Sequence, residues 1–233
     1  MVETLKTQYV RDGYVALRQL FTQEEVARLK EAARQVVREL PEGEAREVTK
    51  TGVYVGMAAA SDDFRIAAAH HKLVSALREV IGEHVVFLSD KIVFKNAATD
   101  FGSPWHQDYP YWLGQHKLSV WIALDQATPE NGCLRVVPGS HASGAIEHGG
   151  DASDGIGFGN RLKPSDIDSS QIVDLPASQG DAILFHDLLF HASYPNQSGK
   201  DRWALISTYK NGAEEDLEYE WAKAAFTVSE GDK

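Results

Sequence analysis

The chain has 233 residues and a net charge of −11, with 43% hydrophobic and 24% charged residues. This length can bury one substantial core, so we predict a single domain over residues 1–233. The balance of apolar and charged residues is close to the globular average, which excludes a fibrous or largely disordered chain. The negative charge repels phosphate backbones, and we expect no nucleic-acid partner.

Cys133 is the only cysteine, so no internal disulfide can form and nothing indicates an oxidising compartment. Residues 1–9 lack the apolar core of a signal peptide, and residues 231–233 are not a peroxisomal address. No stretch approaches the roughly 18 apolar residues of a membrane span. We therefore expect a cytoplasmic protein with no membrane partner.

Helices come first in chain order. A capping-box pattern in residues 22–25 precedes apolar residues at helical spacing, which predicts a surface helix ending near Pro41. The apolar positions are Val26, Leu29, Ala33, Val36 and Leu40. A second stretch, residues 64–80, is also predicted to be helical.

Short β-rich runs follow the helices, and turn signals rich in Asn, Gly and Pro separate them. The predicted strands are residues 84–94, 118–124, 133–137, 182–190 and 203–209. Regularly spaced short strands favour a mainly β fold, a jelly roll or barrel braced on its outside by the N-terminal helices. Residues 141–171 fit neither periodicity, and we expect a long loop there that could serve as a lid.

The motif His106-Gln107-Asp108 is the only His-x-Asp/Glu in the chain. In a strand, residues two apart share a face, so the imidazole and the carboxylate could bind one ion. Alone the motif is weak evidence, because about one such pair is expected by chance among nine histidines and 34 acidic residues.

A second histidine and an arginine extend this pattern. A strand over residues 182–190, a polar turn and a strand near Arg202 predict a hairpin that brings Arg202 beside His191. His186 competes as a ligand, but it lies five residues before His191, so in one strand the two rings would face opposite ways. We prefer His191, because it lies at the strand end, where sites open. Five other histidines are interpreted as surface or loop residues: His70, His71, His116, His141 and His148.

Two histidines and one carboxylate leave three open positions on an iron ion. Such a site suits a 2-oxo acid, which binds through two oxygens, with dioxygen in the last position. Arg202 would then hold the distal carboxylate of the 2-oxo acid in a bidentate contact.

Four short motifs run in order through residues 105–202. They are Trp105-His106-Gln107-Asp108, Glu130-Asn131-Gly132-Cys133-Leu134, Pro138-Gly139-Ser140-His141, and His191-x-Ser193 with Asn196, Ser198 and Arg202. In these motifs, and in its opening Asp12-Gly13-Tyr14-Val15, the chain resembles the phytanoyl-CoA dioxygenase-like branch of the iron and 2-oxoglutarate oxygenases.

The resemblance implies a double-stranded β-helix, the cupin-like jelly roll, with iron held by His106, Asp108 and His191. It implies that Arg202 and Ser193 bind the carboxylate of 2-oxoglutarate. It further implies that Trp121 and Lys91 line the same co-substrate pocket. The implied cofactors are Fe(II), 2-oxoglutarate as co-substrate and O2.

The activity implied by the resemblance is hydroxylation of a small organic metabolite, with release of succinate and CO2. The chain has no basic cluster suited to coenzyme A phosphates, so we do not expect an acyl-CoA substrate. Tyr109, Tyr111 and Trp112 would give an aromatic wall for a modest-sized, partly apolar molecule. Two alternatives stay open: a cupin-type metal enzyme that does not use 2-oxoglutarate, and a non-catalytic ligand-binding jelly roll.

Overall fold

The computed structural model describes residues 3–97, 100–149 and 159–231. Most of its helices precede most of its strands. The helices are α1 (Leu5–Asp12), α2 (Gln23–Glu39), α3 (Glu42–Thr51), α4 (Met57–Ala60), α5 (Asp62–Ala68), α6 (His71–Ile81) and α7 (Tyr109–Trp112). The strands are β1 (Tyr14–Leu17), β2 (Val53–Val55), β3 (Val85–Lys95), β4 (Lys117–Ala123), β5 (Leu134–Val136), β6 (Val173–Leu175), β7 (Ala182–His186), β8 (His191–Ser193), β9 (Arg202–Asn211) and β10 (Phe226–Ser229).

The strands form two antiparallel sheets. The large sheet has the order β1-β7-β4-β9-β3-β10, with β2 also paired to β3, and the small sheet has the order β6-β5-β8. One apolar cluster, which includes Trp121 of the large sheet and Leu134 of the small sheet, lies between them. This double-sheet arrangement confirms the predicted jelly roll.

Helix α2 forms because its N-terminus is capped and its apolar residues share one face. Thr22 and Glu25 form the predicted capping box, each side chain accepting from the backbone N–H of the other. Four of the five predicted apolar positions are buried, and they join a core cluster that also contains Leu118 of the large sheet. Lys30 on α2 forms an ion pair with Asp125 at 2.6 Å, just after β4. The N-terminal helices therefore brace the outer face of the large sheet, as predicted.

Strand β3 shows why the large sheet has two different faces. Ile92 and Phe94 point into the core shared with the helices, whereas Lys91 and Lys95 line a cavity between the two sheets. Alternate residues of a strand project to opposite faces, so one face is apolar and the other carries the polar groups of a site.

One predicted strand is wrong, because residues 182–190 do not form a single strand. Strand β7 ends at His186, a turn follows, and β8 begins at His191 in the other sheet. The turn is stabilised by the buried Asp187, whose carboxylate accepts from Lys117 N at 3.1 Å and from Trp112 Nε1 at 3.2 Å. The chain thus crosses from the large sheet to the small sheet at this point. Within the described residues, no helix is long and apolar enough to span a membrane.

Candidate active site

His106 and His191 come together through a short backbone bridge. The N–H of His106 donates to the carbonyl of His191 at 3.0 Å, and the reverse hydrogen bond is 3.1 Å. Residues paired in this way direct their side chains to the same side, and the two imidazole centroids are 4.1 Å apart. The bridge therefore aligns the two rings before any metal is bound.

Asp108 completes the group at the start of α7. Its N–H donates to the carbonyl of Asp187 at 2.8 Å, which fixes the backbone of Asp108 against the turn after β7. The Oδ1 atom of Asp108 lies 3.7 Å from the Nε2 atom of each histidine. The other oxygen, Oδ2, accepts from Ser119 Oγ at 2.8 Å, so Oδ1 is the oxygen that faces the rings.

The tautomers of both histidines are set by backbone carbonyls. His106 Nδ1 lies 2.7 Å from the Pro104 carbonyl, and His191 Nδ1 lies 2.9 Å from the Leu189 carbonyl. A carbonyl can only accept, so each Nδ1 donates and each Nε2 carries a lone pair. Burial, and then the neighbouring His191, lower the pKa of His106 well below its usual value. Two imidazoles and one carboxylate within 4.8 Å of one another fit a divalent metal ion such as Fe(II).

The local backbone differs from the prediction in two ways. Asp108 has helical angles, φ −76° and ψ −28°, so His106 and Asp108 do not lie two apart on a regular strand. Arg202 is not the hairpin partner of His191, because β9 belongs to the large sheet and β8 to the small one. The two residues reach the same cavity from facing sheets. A hairpin pairs neighbouring strands of one sheet, so the predicted hairpin could not describe this arrangement.

A cavity of about 570 Å³ opens between the sheets. All seven site residues predicted from the sequence line it: Lys91, His106, Asp108, Trp121, His191, Ser193 and Arg202. Tyr111 and Trp112 of the predicted aromatic wall line it too, whereas Tyr109 is not among its lining residues.

Arg202 is a buried cation without a matching anion. Its Nε and Nη1 atoms have no hydrogen-bond partner within the described residues, and the Trp121 ring centroid lies 5.5 Å from its Cζ. Burial lowers the pKa of Arg202 to about 10, so the guanidinium is charged at neutral pH. Unpaired donors on a buried cation indicate a site for an anionic ligand.

Sequence reasoning missed several polar residues that line the cavity, among them Lys95, Ser103 and Ser119. Lys95 could have been found, because it lies four residues after Lys91, with three apolar residues between them, and therefore shares its face of the strand. Ser119 likewise interrupts an apolar strand. Ser103 lies in a loop, where no periodicity marks it.

His186 belongs to a different cluster. Asp187 Oδ1 lies 2.8 Å from His116 Nδ1 and 2.9 Å from His186 Nδ1, and the two rings stack at 3.8 Å. Although burial raises the pKa of Asp187, the hydrogen bonds to His116 and His186 lower it overall. His116 lies in a loop and is partly exposed, as predicted, but it has a ligand-like partner in Asp187, which the sequence did not indicate. His186 does not line the cavity that contains His191.

A jelly roll with two histidines and a carboxylate at a cavity, and a buried arginine in the same cavity, is the arrangement of a mononuclear non-haem iron oxygenase. The profile of the family described as phytanoyl-CoA dioxygenase (PhyH) matches residues 9–204. The chain belongs to the phytanoyl-CoA dioxygenase family. It is therefore an enzyme of the iron- and 2-oxoglutarate-dependent oxygenases, which confirms the predicted class and cofactors.

Individual relatives agree with the family but match the chain over different shares of their length. L-proline trans-4-hydroxylase of Streptomyces griseoviridis is 26% identical over 230 residues, which cover 88% of this chain and 84% of the relative. Methylphosphonate hydroxylase of Gimesia maris is 32% identical over 151 residues, 64% of this chain but only 55% of the relative. The solved structure of the non-haem monooxygenase ThoJ has the same fold, with a TM-score of 0.81 and 23% identity over 98% of this chain and 84% of ThoJ.

Proposed function

We propose that this protein hydroxylates a small organic metabolite and converts 2-oxoglutarate to succinate and CO2 in the same cycle. The observation that carries the proposal is the presence, in one cavity, of a metal-ligand group and a buried arginine whose donors Nε and Nη1 have no partner among the described residues. The first suits iron, and the second suits the distal carboxylate of 2-oxoglutarate.

Each site residue then has a role. His106, Asp108 and His191 hold the iron through Nε2, Oδ1 and Nε2, and Ser119 and the two backbone carbonyls orient them. When bound, iron supplies the activation of dioxygen that no side chain can provide. Arg202 binds the distal carboxylate, and Trp121, Ser193 and Lys91 line the co-substrate pocket.

The remaining cavity wall supports a modest-sized, partly apolar substrate. Tyr111, Trp112 and Trp221 line it with aromatic rings, and Trp112 is oriented by its hydrogen bond to Asp187. Aromatic walls exclude water and bury apolar carbon, while nearby polar groups orient the substrate. The relatives named for L-proline and methylphosphonate support a small metabolite as substrate.

We also propose that residues 141–171 act as a lid. Residues 150–158 lie outside the described residues, but the segments on either side contact the ligand motif. Gln107, between His106 and Asp108, donates to the Gly144 carbonyl at 2.9 Å and accepts from Ile146 N at 3.1 Å. On the other side, Leu162 N donates to the Trp105 carbonyl at 2.9 Å. Motion of the lid would therefore be transmitted through these hydrogen bonds to the metal ligands.

The test is succinate formation from 2-oxoglutarate by the purified protein, with Fe(II) and after removal of the metal by a chelator. The proposal expects succinate only with iron, and more of it when a substrate is present. A cupin-type enzyme would consume substrate without forming succinate. A binding protein would form no product under any condition.

A further inference from the structure

We infer that Lys91 binds an anionic headgroup of the substrate, so that the metabolite is a small organic acid with an apolar carbon chain. This inference rests on the proposed function and names the substrate class of the same site. Lys91 is partly buried and lines the cavity from β3. It forms no hydrogen bond or ion pair within residues 3–97, 100–149 and 159–231. A lysine that faces a cavity without a partner is a recognition group for an anion.

The position of Lys91 along β3 separates it from the end of the cavity where Arg202 lies. In the register between β3 and β9, Arg202 is opposite Lys95, and Lys91 is four residues away from Lys95. At the usual rise of a strand this is about 13 Å. Lys91 is instead near the metal ligands: burial is the largest cause of the lowered pKa of His106, and Lys91 is a smaller one. Lys91 is therefore placed for a molecule held beside the metal ligands, on the side of the co-substrate pocket that faces away from Arg202.

Two hydroxyl groups accompany Lys91. Ser89 lies two residues before Lys91 and therefore on the same face of β3, and Thr208 of β9 is the direct cross-strand partner of Ser89. Both line the cavity, and neither hydroxyl has a hydrogen-bond partner in the described part of the chain. Thr208 also pairs with Ser119 of β4, whose hydroxyl donates to Asp108, so this group lies level with the metal ligands. One ammonium and two hydroxyls can all donate to the oxygens of one carboxylate or phosphonate.

The acidic residues that line the cavity do not compensate Lys91. Among the described residues these are Asp90 and Asp108. Asp90 follows Ser89 on β3 and points to the opposite face, where its two carboxylate oxygens accept from Ala58 N at 3.0 and 3.1 Å. Asp108 directs Oδ1 at the two ligand histidines and Oδ2 at a serine hydroxyl. The charge of Lys91 is therefore available to a ligand.

The charges of the loaded site leave one cation unmatched. When Fe(II) and 2-oxoglutarate are bound, the charges of the ion and of Arg202 equal those of Asp108 and the two carboxylates of the co-substrate. The charge of Lys91 remains, and any charge on Lys95 adds to the excess. A cationic substrate would increase this excess, whereas an anionic headgroup beside Lys91 neutralises it.

Apolar side chains flank Lys91 and define the rest of the substrate. The cross-strand partners of Lys91 are Val55 on β2 and Ile206 on β9, and both line the cavity. The aromatic rings of Trp112 and Trp221 line it as well. A carbon chain that extends from the headgroup would therefore be buried against apolar surface. An acid with an apolar chain fits these surroundings, whereas a fully polar molecule does not.

The experiment is calorimetric titration, without oxygen, of the protein loaded with Fe(II) and saturating 2-oxoglutarate. Three probes carry the same propyl chain: butanoate, propylphosphonate and the neutral butanamide. The wild type should bind at least one of the two acids at least tenfold more tightly than the amide, because only the acids make a charge-assisted contact. The tighter acid identifies the headgroup. Equal binding of all three probes, or no binding of either acid, would overturn the inference.

Three variants sharpen the result. Lys91→Met should remove the preference for the acid over the amide and leave the affinity for 2-oxoglutarate within a few-fold of the wild type. Lys91→Arg keeps the positive charge and should keep a preference for the acid. Lys72→Met removes an exposed lysine of α6 and is the matched control, which should bind all probes as the wild type does. A preference that survives in Lys91→Met refutes the role of Lys91. If Lys91→Met does not fold, the comparison of acid and amide on the wild type decides alone.

Failure of the proposed function has a different signature. A wild type that does not bind 2-oxoglutarate with Fe(II) overturns the proposed function and this inference together. A wild type that binds and turns over 2-oxoglutarate, but does not distinguish acid from amide, overturns only the role of Lys91. An acid that displaces 2-oxoglutarate, or a tenfold loss of 2-oxoglutarate affinity in Lys91→Met, would assign Lys91 to the co-substrate and would also overturn the inference.

Discussion

At the scale of single residues, the site is defined by polar groups that the fold buries without a matching partner. The two ligand histidines have their tautomers set by backbone carbonyls, and the buried Arg202 keeps two nitrogens that have no hydrogen-bond partner in the part of the chain that the structure describes. Such arrangements are unfavourable in the empty protein and become favourable only with ligands of the right charge. Point substitutions at these residues should therefore change ligand binding more than they change folding.

Arg202→Ala should weaken 2-oxoglutarate binding by about 2–5 kcal/mol, because it removes the charged partner of a buried carboxylate. Affinity is measured by titration of the Fe(II) protein in the absence of oxygen. Arg34→Ala, which removes an exposed arginine of α2, is the control and should bind as the wild type does. Equal affinities for the wild type and Arg202→Ala would show that Arg202 does not contact the co-substrate.

His191→Ala should sharply reduce the iron content of the purified protein, because His191 Nε2 is one of three converging ligand atoms. His186→Ala removes a partly buried histidine that belongs to the Asp187 cluster, and it should retain most of the iron. Iron per protein is measured by elemental analysis. A greater loss in His186→Ala than in His191→Ala would reverse the assignment.

At the scale of elements, tight turns position the site residues at the cavity. The turn before β5 contains Gly132, whose φ of +101° is in the left-handed region. A Cβ on Gly132 would lie 2.8 Å from the Tyr194 carbonyl and 3.0 Å from Lys95 Cδ. This turn and the end of β8 therefore enclose the Lys95 side chain, which explains why glycine is needed in the Glu130–Gly132 motif.

Gly132→Ala should destabilise the protein by more than about 1–3 kcal/mol, because backbone strain and a backbone clash add together. Denaturant unfolding measures the change in free energy. Gly199→Ala is the matched control: Gly199 has a φ of +70°, but nothing lies within 4 Å of its Cβ position. It should show the strain without the clash. If the two variants lose the same stability, the contact with Tyr194 is not important.

At the scale of the whole molecule, the two sheets are joined through the cavity that holds the ligands. Iron would connect His106 and Asp108 in one part of the chain to His191 in the small sheet, and 2-oxoglutarate would extend that connection to Arg202 in the large sheet. Ligands that bind only the folded state stabilise it by mass action. Metal and co-substrate should therefore act on global stability, not only on activity.

Addition of Fe(II) and 2-oxoglutarate, each at about 100 times its dissociation constant, should stabilise the fold by about 2.7 kcal/mol per ligand. For a domain of this size this corresponds to a rise in the thermal midpoint of roughly 5–10 °C per ligand. Thermal unfolding under nitrogen measures the midpoint. A chelator should reverse both shifts, because 2-oxoglutarate binds largely through the metal. A co-substrate shift that persists after metal removal would contradict a metal-linked site.

The sequence by itself determined the capped helix α2, the jelly-roll class and seven of the residues that line the cavity. These are local properties: capping boxes, periodic apolar residues and short motifs indicate the same local structure whatever the tertiary arrangement of the chain. Only the tertiary structure decided how those residues meet. It placed β8 and β9 in opposite sheets, gave Asp108 a helical backbone, assigned His186 and His116 to Asp187, and set Lys95 beside Arg202. Pairings between residues far apart in the chain depend on strand order and register, and neither leaves a local signal in the sequence.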